Sequence, residues 1–182
     1  MEHRDLAALE AGLDDIRDAP KDRGRIELIC RRPETEEREL IDEAVLDTEM
    51  GLVGDNWRTR GSKATDDGSS HPLMQLTLTN VRSMDVIAGQ PERRQLAGDQ
   101  FFVDFDLSVE NIPPGTRLKL GQATIEITEI PHRGCGKFSA RFGVDALKFV
   151  NSAVGRELNL RGVNAKIIDA GVVRTGDAIA KL

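Results

Sequence analysis

The sequence predicts a mainly β chain with a few helices, folded as a compact β-barrel-like domain. Short runs of alternating apolar and polar residues recur between 74 and 180, glycines separate them, and helical spacing is confined to a few stretches. At 182 residues the chain is long enough for one ordinary core and short for two, and 39% hydrophobic residues are enough to build that core. No run approaches the about 20 consecutive apolar residues that cross a bilayer.

Taken in order, Leu6, Leu9, Leu13 and Ile16 stand three and four apart with acids on the other face. This predicts one amphipathic helix over 3–18, stopped by Pro20. Residues 1–22 are read as an N-terminal helical extension packed on the domain or on a partner, and 23–182 as a single barrel-like domain. Residues 25–30 and the more polar 38–47 read as strands. Residues 61–72 (GSKATDDGSSHP) lack periodicity and read as a mobile loop. Met74, Leu76 and Leu78 alternate as a strand, after which Asn80 caps a short helix over 81–87. Strands follow at 100–107, 116–120 and 123–127, the last two joined by a two-residue turn at Gly121-Gln122. Ala146, Val150 and Ala153 form the stripe of a helix over 145–154. Runs at 163–168 and 177–180 close the sheet, punctuated by Gly171 and Gly176.

The charge is uneven. Residues 1–50 hold 16 acids and 8 bases, a balance of −8, whereas 131–174 hold 8 bases and 3 acids, a balance of +5. The net −6 argues against broad phosphate neutralisation along a nucleic acid, while the basic segment suits a small anion. One Trp, six Phe and no Tyr are also too few for a base-stacking platform. The residues from Met1 onward run into acidic helical sequence rather than a basic and then apolar leader, so the expected location is the cytoplasm. Cys30 and Cys135, with His3, His71 and His132, form no pair at zinc-ligand spacing. In that compartment both thiols are expected reduced, a Cys30–Cys135 bridge being the lesser alternative.

The most chemically loaded segment is Pro131-His132-Arg133-Gly134-Cys135-Gly136-Lys137-Phe138. Glycines on either side leave the Cys135 sulfur approachable, and Arg133, Lys137 and a protonated His132 favour thiolate over thiol. The alternative is a solvated basic turn. A phosphate loop fails, because Phe138 stands where Ser or Thr is needed and Pro131 where Gly is needed. A cysteine–histidine dyad within one turn lacks the geometry. Cys30 ends an apolar run and reads as core, Trp57 as a packing anchor, and Asp55 and Asn56 as turn residues with a lesser alternative of lining a pocket.

Taken together, Gly51-Leu52-Val53-Gly54-Asp55, Gln75-Leu76-Thr77-Leu78, Gly98-Asp99-Gln100, the 109–121 stretch VENIPPGTRLKLG, the Cys135 segment, Arg161-Gly162-Val163-Asn164-Ala165 and 171–177 resemble the MOSC domain. The domain is named for the C-terminal domain of molybdenum cofactor sulfurases, and the likeness covers about residues 40–182. The resemblance implies a compact barrel, of small stand-alone bacterial type, and a single functional cysteine, carried onto Cys135. It implies that this thiol ligates molybdenum of a molybdopterin cofactor or carries sulfur as a persulfide. In the first case the activity implied is an oxidoreductase on N-hydroxylated small-molecule substrates, supplied with electrons by a separate reductase. In the second it is a sulfurtransferase fed by a cysteine desulfurase, and any pyridoxal phosphate belongs to that partner. Arg133, Lys137 and Arg174 are candidates for the cofactor phosphate, with His132, Gly134 and Gln100 beside them. The chain departs from the usual pattern in having Gly134 where many members have Pro and Gly98-Asp99-Gln100 where many have Gly-Glu-Asn. A third reading, from the −8 balance of residues 1–50, is a non-catalytic binding module whose acidic N-terminal helix docks on a partner.

Overall fold

The computed structural model describes residues 3–182; residues 1 and 2 of the predicted extension lie outside the described residues. Eleven strands and seven short helices alternate along the described residues. Strand β1 (Arg23–Arg31) opens a closed ring of seven strands. From β1 the ring runs to β11 (Ala178–Lys181), β7 (Arg117–Leu120), β8 (Ala123–Ile127), β9 (Val163–Asp169), β5 (Leu76–Asn80) and β6 (Phe101–Asp104), and so back to β1. Every contact in the ring is antiparallel except β5–β6, which the crossover helix α4 (Val81–Ala88) makes parallel. Closure leaves no open edge in the ring.

The barrel interior is filled by Ile26, Ile29, Leu76, Leu78, Phe101, Val103, Leu118, Leu120, Ile125, Ala165, Ile167 and Ile179. A second apolar layer lies outside it, where Phe102 and Cys30 meet Leu9, Ile16, Met84, Phe138, Phe142, Phe149 and Val150. On β6 the strict alternation of Phe101, Phe102 and Val103 feeds both layers at once. On β1 a bulge between Ile26 and Leu28 does the same. The extra residue lets Ile26 and Ile29, three apart, both face inward while Leu28 and Cys30 face the helices.

The predicted hairpin is present, with Leu120 opposite Ala123 across Gly121-Gln122. Asn80 caps α4, its Oδ1 accepting from the Arg82 N–H at 2.9 Å. Other elements differ. The N-terminal helix is two, α1 (Leu6–Glu10) and α2 (Leu13–Arg17), because the chain turns at Gly12, where Val86 approaches too closely for any side chain. Leu9 and Ile16 bury against the helical layer, so this segment packs on its own domain. The predicted 38–47 strand divides at Asp42. Its first part, β2 (Glu39–Ile41), pairs with β1. Its second, β3 (Glu43–Asp47), joins a separate sheet with β4 (Gly51–Leu52) and β10 (Gly171–Arg174). The helix over 145–154 likewise divides at Ser152, whose extended backbone ends α6 (Val144–Asn151) and whose hydroxyl caps α7 (Ala153–Glu157). No helix among the described residues is long and apolar enough to cross a membrane.

Candidate functional site

After β8 the chain runs extended to Cys135 and then turns into α5 (Gly136–Phe142). Two asparagines hold this run. Asn164 donates to the Ile130 carbonyl at 3.0 Å, and Asn151 clamps Gly134 at both peptide groups, each bond 3.1 Å. A side chain at 134 would meet Val150 and Leu147 within 2.9 Å, so glycine is what lets the segment lie against α6. Phe138 and Phe142, 4.9 Å apart, anchor the far side of α5 in the helical layer. Cys135 is thereby left exposed on a fixed backbone, with open space beside Gly136.

The thiol opens into a cavity of about 190 Å³. Six cations line it: Arg32 and Arg38 from the β1–β2 loop, Arg60 at the end of helix α3 (Trp57–Arg60), Lys137 and Arg141 from α5, and Arg161 before β9. Two of these are compensated from behind. Arg32 bonds Asp55 through Nε at 2.8 Å and Nη2 at 2.9 Å, and Arg161 bonds Asp99 at 2.5 Å while its guanidinium lies 5.0 Å from the Phe138 ring centre. Lys137 and Arg141 share one carboxylate, Glu36. Arg38 and Arg60 have no carboxylate in ion-pair range among the described residues. Burial, then the neighbouring guanidinium groups, pulls both below the usual arginine range. Polar atoms are also left without protein partners: Arg161 Nε, Arg38 Nε and Asn56 Oδ1. Arg161 and Asn56 are both at least nine-tenths buried. Unpaired buried donors and acceptors of this kind are expensive unless a ligand or water completes them.

Of the residues singled out in sequence, Cys135, Lys137 and Asn56 meet in this cavity, whereas Gly134, His132, Arg133, Gln100 and Arg174 do not line it. Gly134 spends its peptide groups on Asn151. His132 and Arg133 line a second cavity, with Ile127 to Pro131 of the same segment and with Arg156 and Asn159, so the two sides of this run serve different recesses. Gln100 is fully buried behind the wall. Its Oε1 accepts from the Thr77 N–H and hydroxyl, both at 2.8 Å, and its amide nitrogen reaches Asp55 at 3.4 Å. Arg174 pairs with Glu43 at 2.7 Å and faces a separate recess with Lys119 and Arg23. Cys30 is buried and burial pushes its thiol up to about 11; both cysteines are free. The loop at 61–72 does not line the Cys135 cavity.

Sequence reasoning missed Arg32, Arg38, Arg60, Arg141 and Arg161. The pointer was present in Arg32 and Arg38 bracketing the acidic stretch 34–37, and in Arg161 within the MOSC-like Arg161-Gly162 piece. Half of the cavity's cations come from the acidic first half of the chain, where the charge balance gave no reason to look.

His132 lies with Nδ1 3.5 Å from Asp99 and beside Arg161. Burial, and secondly the Arg161 charge, pushes it down to about 3, so it is neutral at pH 7. Its folded value lies below the unfolded one near 6.5, so the unfolded chain binds the extra proton between those values. This contribution to stability is intact above about pH 6.5 and is lost as the pH falls toward 3. Urea unfolding of wild type and His132→Gln at pH 7 and pH 5 checks it. The wild type should lose about 2 kcal/mol more than the variant over that interval.

No protein-family model matches the sequence, and no curated protein sequence matches it. Among solved structures, YuaD from Bacillus subtilis superposes with a TM-score of 0.63 at 16% identity, over 86% of this chain and 94% of that one. YiiM from Escherichia coli does so with a TM-score of 0.57 at 19% identity, over 87% of this chain and 69% of that one. YiiM from Geobacillus stearothermophilus gives 0.56 at 11% identity, over 87% and 73%. YiiM proteins are of the MOSC-domain family. At such identities the likeness is one of fold, and the fold of this chain is the MOSC-like β-barrel.

Proposed function

We propose that the protein binds a molybdenum–pterin cofactor at Cys135 and acts as an oxidoreductase on N-hydroxylated small molecules. The observation that carries this reading is an exposed thiol opening into a cavity with surplus guanidinium charge and unpaired buried donors. That donor set fits the group. A thiolate is the soft ligand such a metal takes, and arginines bind phosphate oxygens in pairs. Cys135 would hold the metal, the cavity's cations Arg38, Arg60, Lys137, Arg141 and Arg161 the phosphate, and the Asn56 amide oxygen a donor of the ring system. When bound, the cofactor supplies oxygen-atom transfer, with electrons from a separate reductase.

The chain's own contribution is positioning. The Asn151 clamp and the two α5 phenylalanines fix the backbone that carries the sulfur. Asp99 and Asp55 hold Arg161 and Arg32 in the wall, so these charges are in place before a ligand arrives.

A second reading is favoured by the exposure of Cys135 and the open space at Gly136, which let another protein's sulfur approach. Here the Cys135 thiolate attacks the terminal sulfur of a desulfurase persulfide. One sulfur–sulfur bond forms, another breaks, and the desulfurase thiolate leaves. Pyridoxal phosphate belongs to that partner.

Metal and pterin analysis of protein purified from a host that makes the cofactor separates the two. Molybdenum near one per chain, with reduction of a hydroxylamine by artificial donors, supports the first reading. Protein free of metal that gains one sulfur on the Cys135 peptide, after incubation with a desulfurase and cysteine, replaces it with the second.

A further inference from the structure

We propose that Glu36 is an internal stand-in for a phosphate group, occupying Lys137 and Arg141 beside Cys135 until an incoming phosphate displaces it. Glu36 lies in the middle of the β1–β2 loop, whose base is tied by Arg31 and Glu39 at 2.7 Å. One carboxylate oxygen accepts from Lys137 Nζ at 2.8 Å and the other from Arg141. Those two cations are four residues apart on α5 and so share a face. The loop is thus pinned across the cavity through one of its own residues, held by two cations far away in sequence.

The pin is built to come out. Glu36 has a φ of 67°, in the left-handed region that favours glycine, so this conformation is held at a cost. Its side chain is 56% exposed, and exposed ion pairs contribute little. A carboxylate also offers only two oxygens. It leaves Arg161 Nε and Arg38 Nε, buried atoms of two arginines that line the same cavity, without acceptors, and Arg161 is more than nine-tenths buried. A phosphate brings more oxygens and more charge to the same donors. Displacement of Glu36 then frees the loop, linking occupancy of the cavity to mobility of residues 33–38.

The inference rests on reading the cavity as an anion site and not on which metal Cys135 holds. Its test uses the full-length apoprotein and inorganic phosphate at constant ionic strength, with acetate as the control. Calorimetry should give about fivefold tighter phosphate binding for Glu36→Gln than for wild type, the size expected for releasing one exposed and one half-buried pair. Lys137→Gln should weaken binding in both backgrounds. Amide exchange in 33–38 of the wild type should quicken on saturation with phosphate and not with acetate. Equal affinity of wild type and Glu36→Gln overturns the proposal, as does absence of phosphate binding or an equal response to acetate. Protein devoid of molybdenum would count against the cofactor reading and leave this result standing.

Discussion

Replacing Asp55 with alanine is expected to destabilise the fold by about 3–5 kcal/mol, the cost of leaving one member of a buried ion pair without its partner. The Asp55 side chain is fully buried and accepts five hydrogen bonds. Three come from Arg32 (its backbone N–H, Nε and Nη2), one from the Trp57 N–H and one from the Gln100 amide. The substitution removes every one of these acceptors and strands a guanidinium only 8% exposed. The Asp55→Asn change would not preserve the arrangement, because an amide presents a donor to a group of donors. The control is Arg32→Met combined with Asp55→Ala. Removing the stranded charge should recover part of the loss in urea unfolding, a coupling that independent sites do not show. A loss below about 1 kcal/mol for Asp55→Ala alone would mean that Arg32 swings into the cavity and is solvated there.

The same residue shows how unevenly the site is written in the sequence. Gly54-Asp55-Asn56 reads locally as a turn, and Asp55 does hold one through the Trp57 N–H. Nothing local reveals that its other bonds reach Arg32, 23 positions earlier, and Gln100, 45 positions later. The barrel was legible because its signals are local. Leu118 and Leu120 alternate, Leu120 and Ala123 flank a glycine turn, and Asn80 precedes a helical stripe. Breaks at Asp42 and Ser152 were not legible, since neither proline nor glycine marks them; they arise from which sheet or helix each half packs against. Cys135 stood out by its flanking glycines. Its neighbours in space were hidden, because closure of β1 against β11 and β6 is what brings the β1–β2 loop over α5. His132 and Arg133 were grouped with Cys135 by proximity in sequence, yet they line the neighbouring cavity with residues of the β8 end and the 156–163 stretch.

Replacing Cys135 with serine should remove the metal, lowering molybdenum retention by more than about tenfold, while leaving the unfolding midpoint unchanged. The side chain is exposed and packs in neither apolar layer, so the substitution costs the fold nothing that burial or hydrogen bonding would explain. What changes is the donor. A serine hydroxyl is hard and stays protonated at neutral pH, whereas the thiolate is the species that binds soft metals and attacks sulfur. Cys30→Ser is the matched comparison. Its thiol is fully buried and held protonated, with a value near 11, so it has no route to the cavity and metal should be retained. That variant should instead lose stability, because a hydroxyl enters the layer between β1 and the helices where the thiol's one acceptor, the Arg31 carbonyl, lies 3.8 Å from the sulfur. Thiol titration of the native protein provides an independent readout: one rapidly reacting group in the wild type, none in Cys135→Ser until it is unfolded, and one in Cys30→Ser. Molybdenum retained equally by Cys135→Ser would take the metal away from this thiol and leave the arginine-lined cavity as an anion site alone.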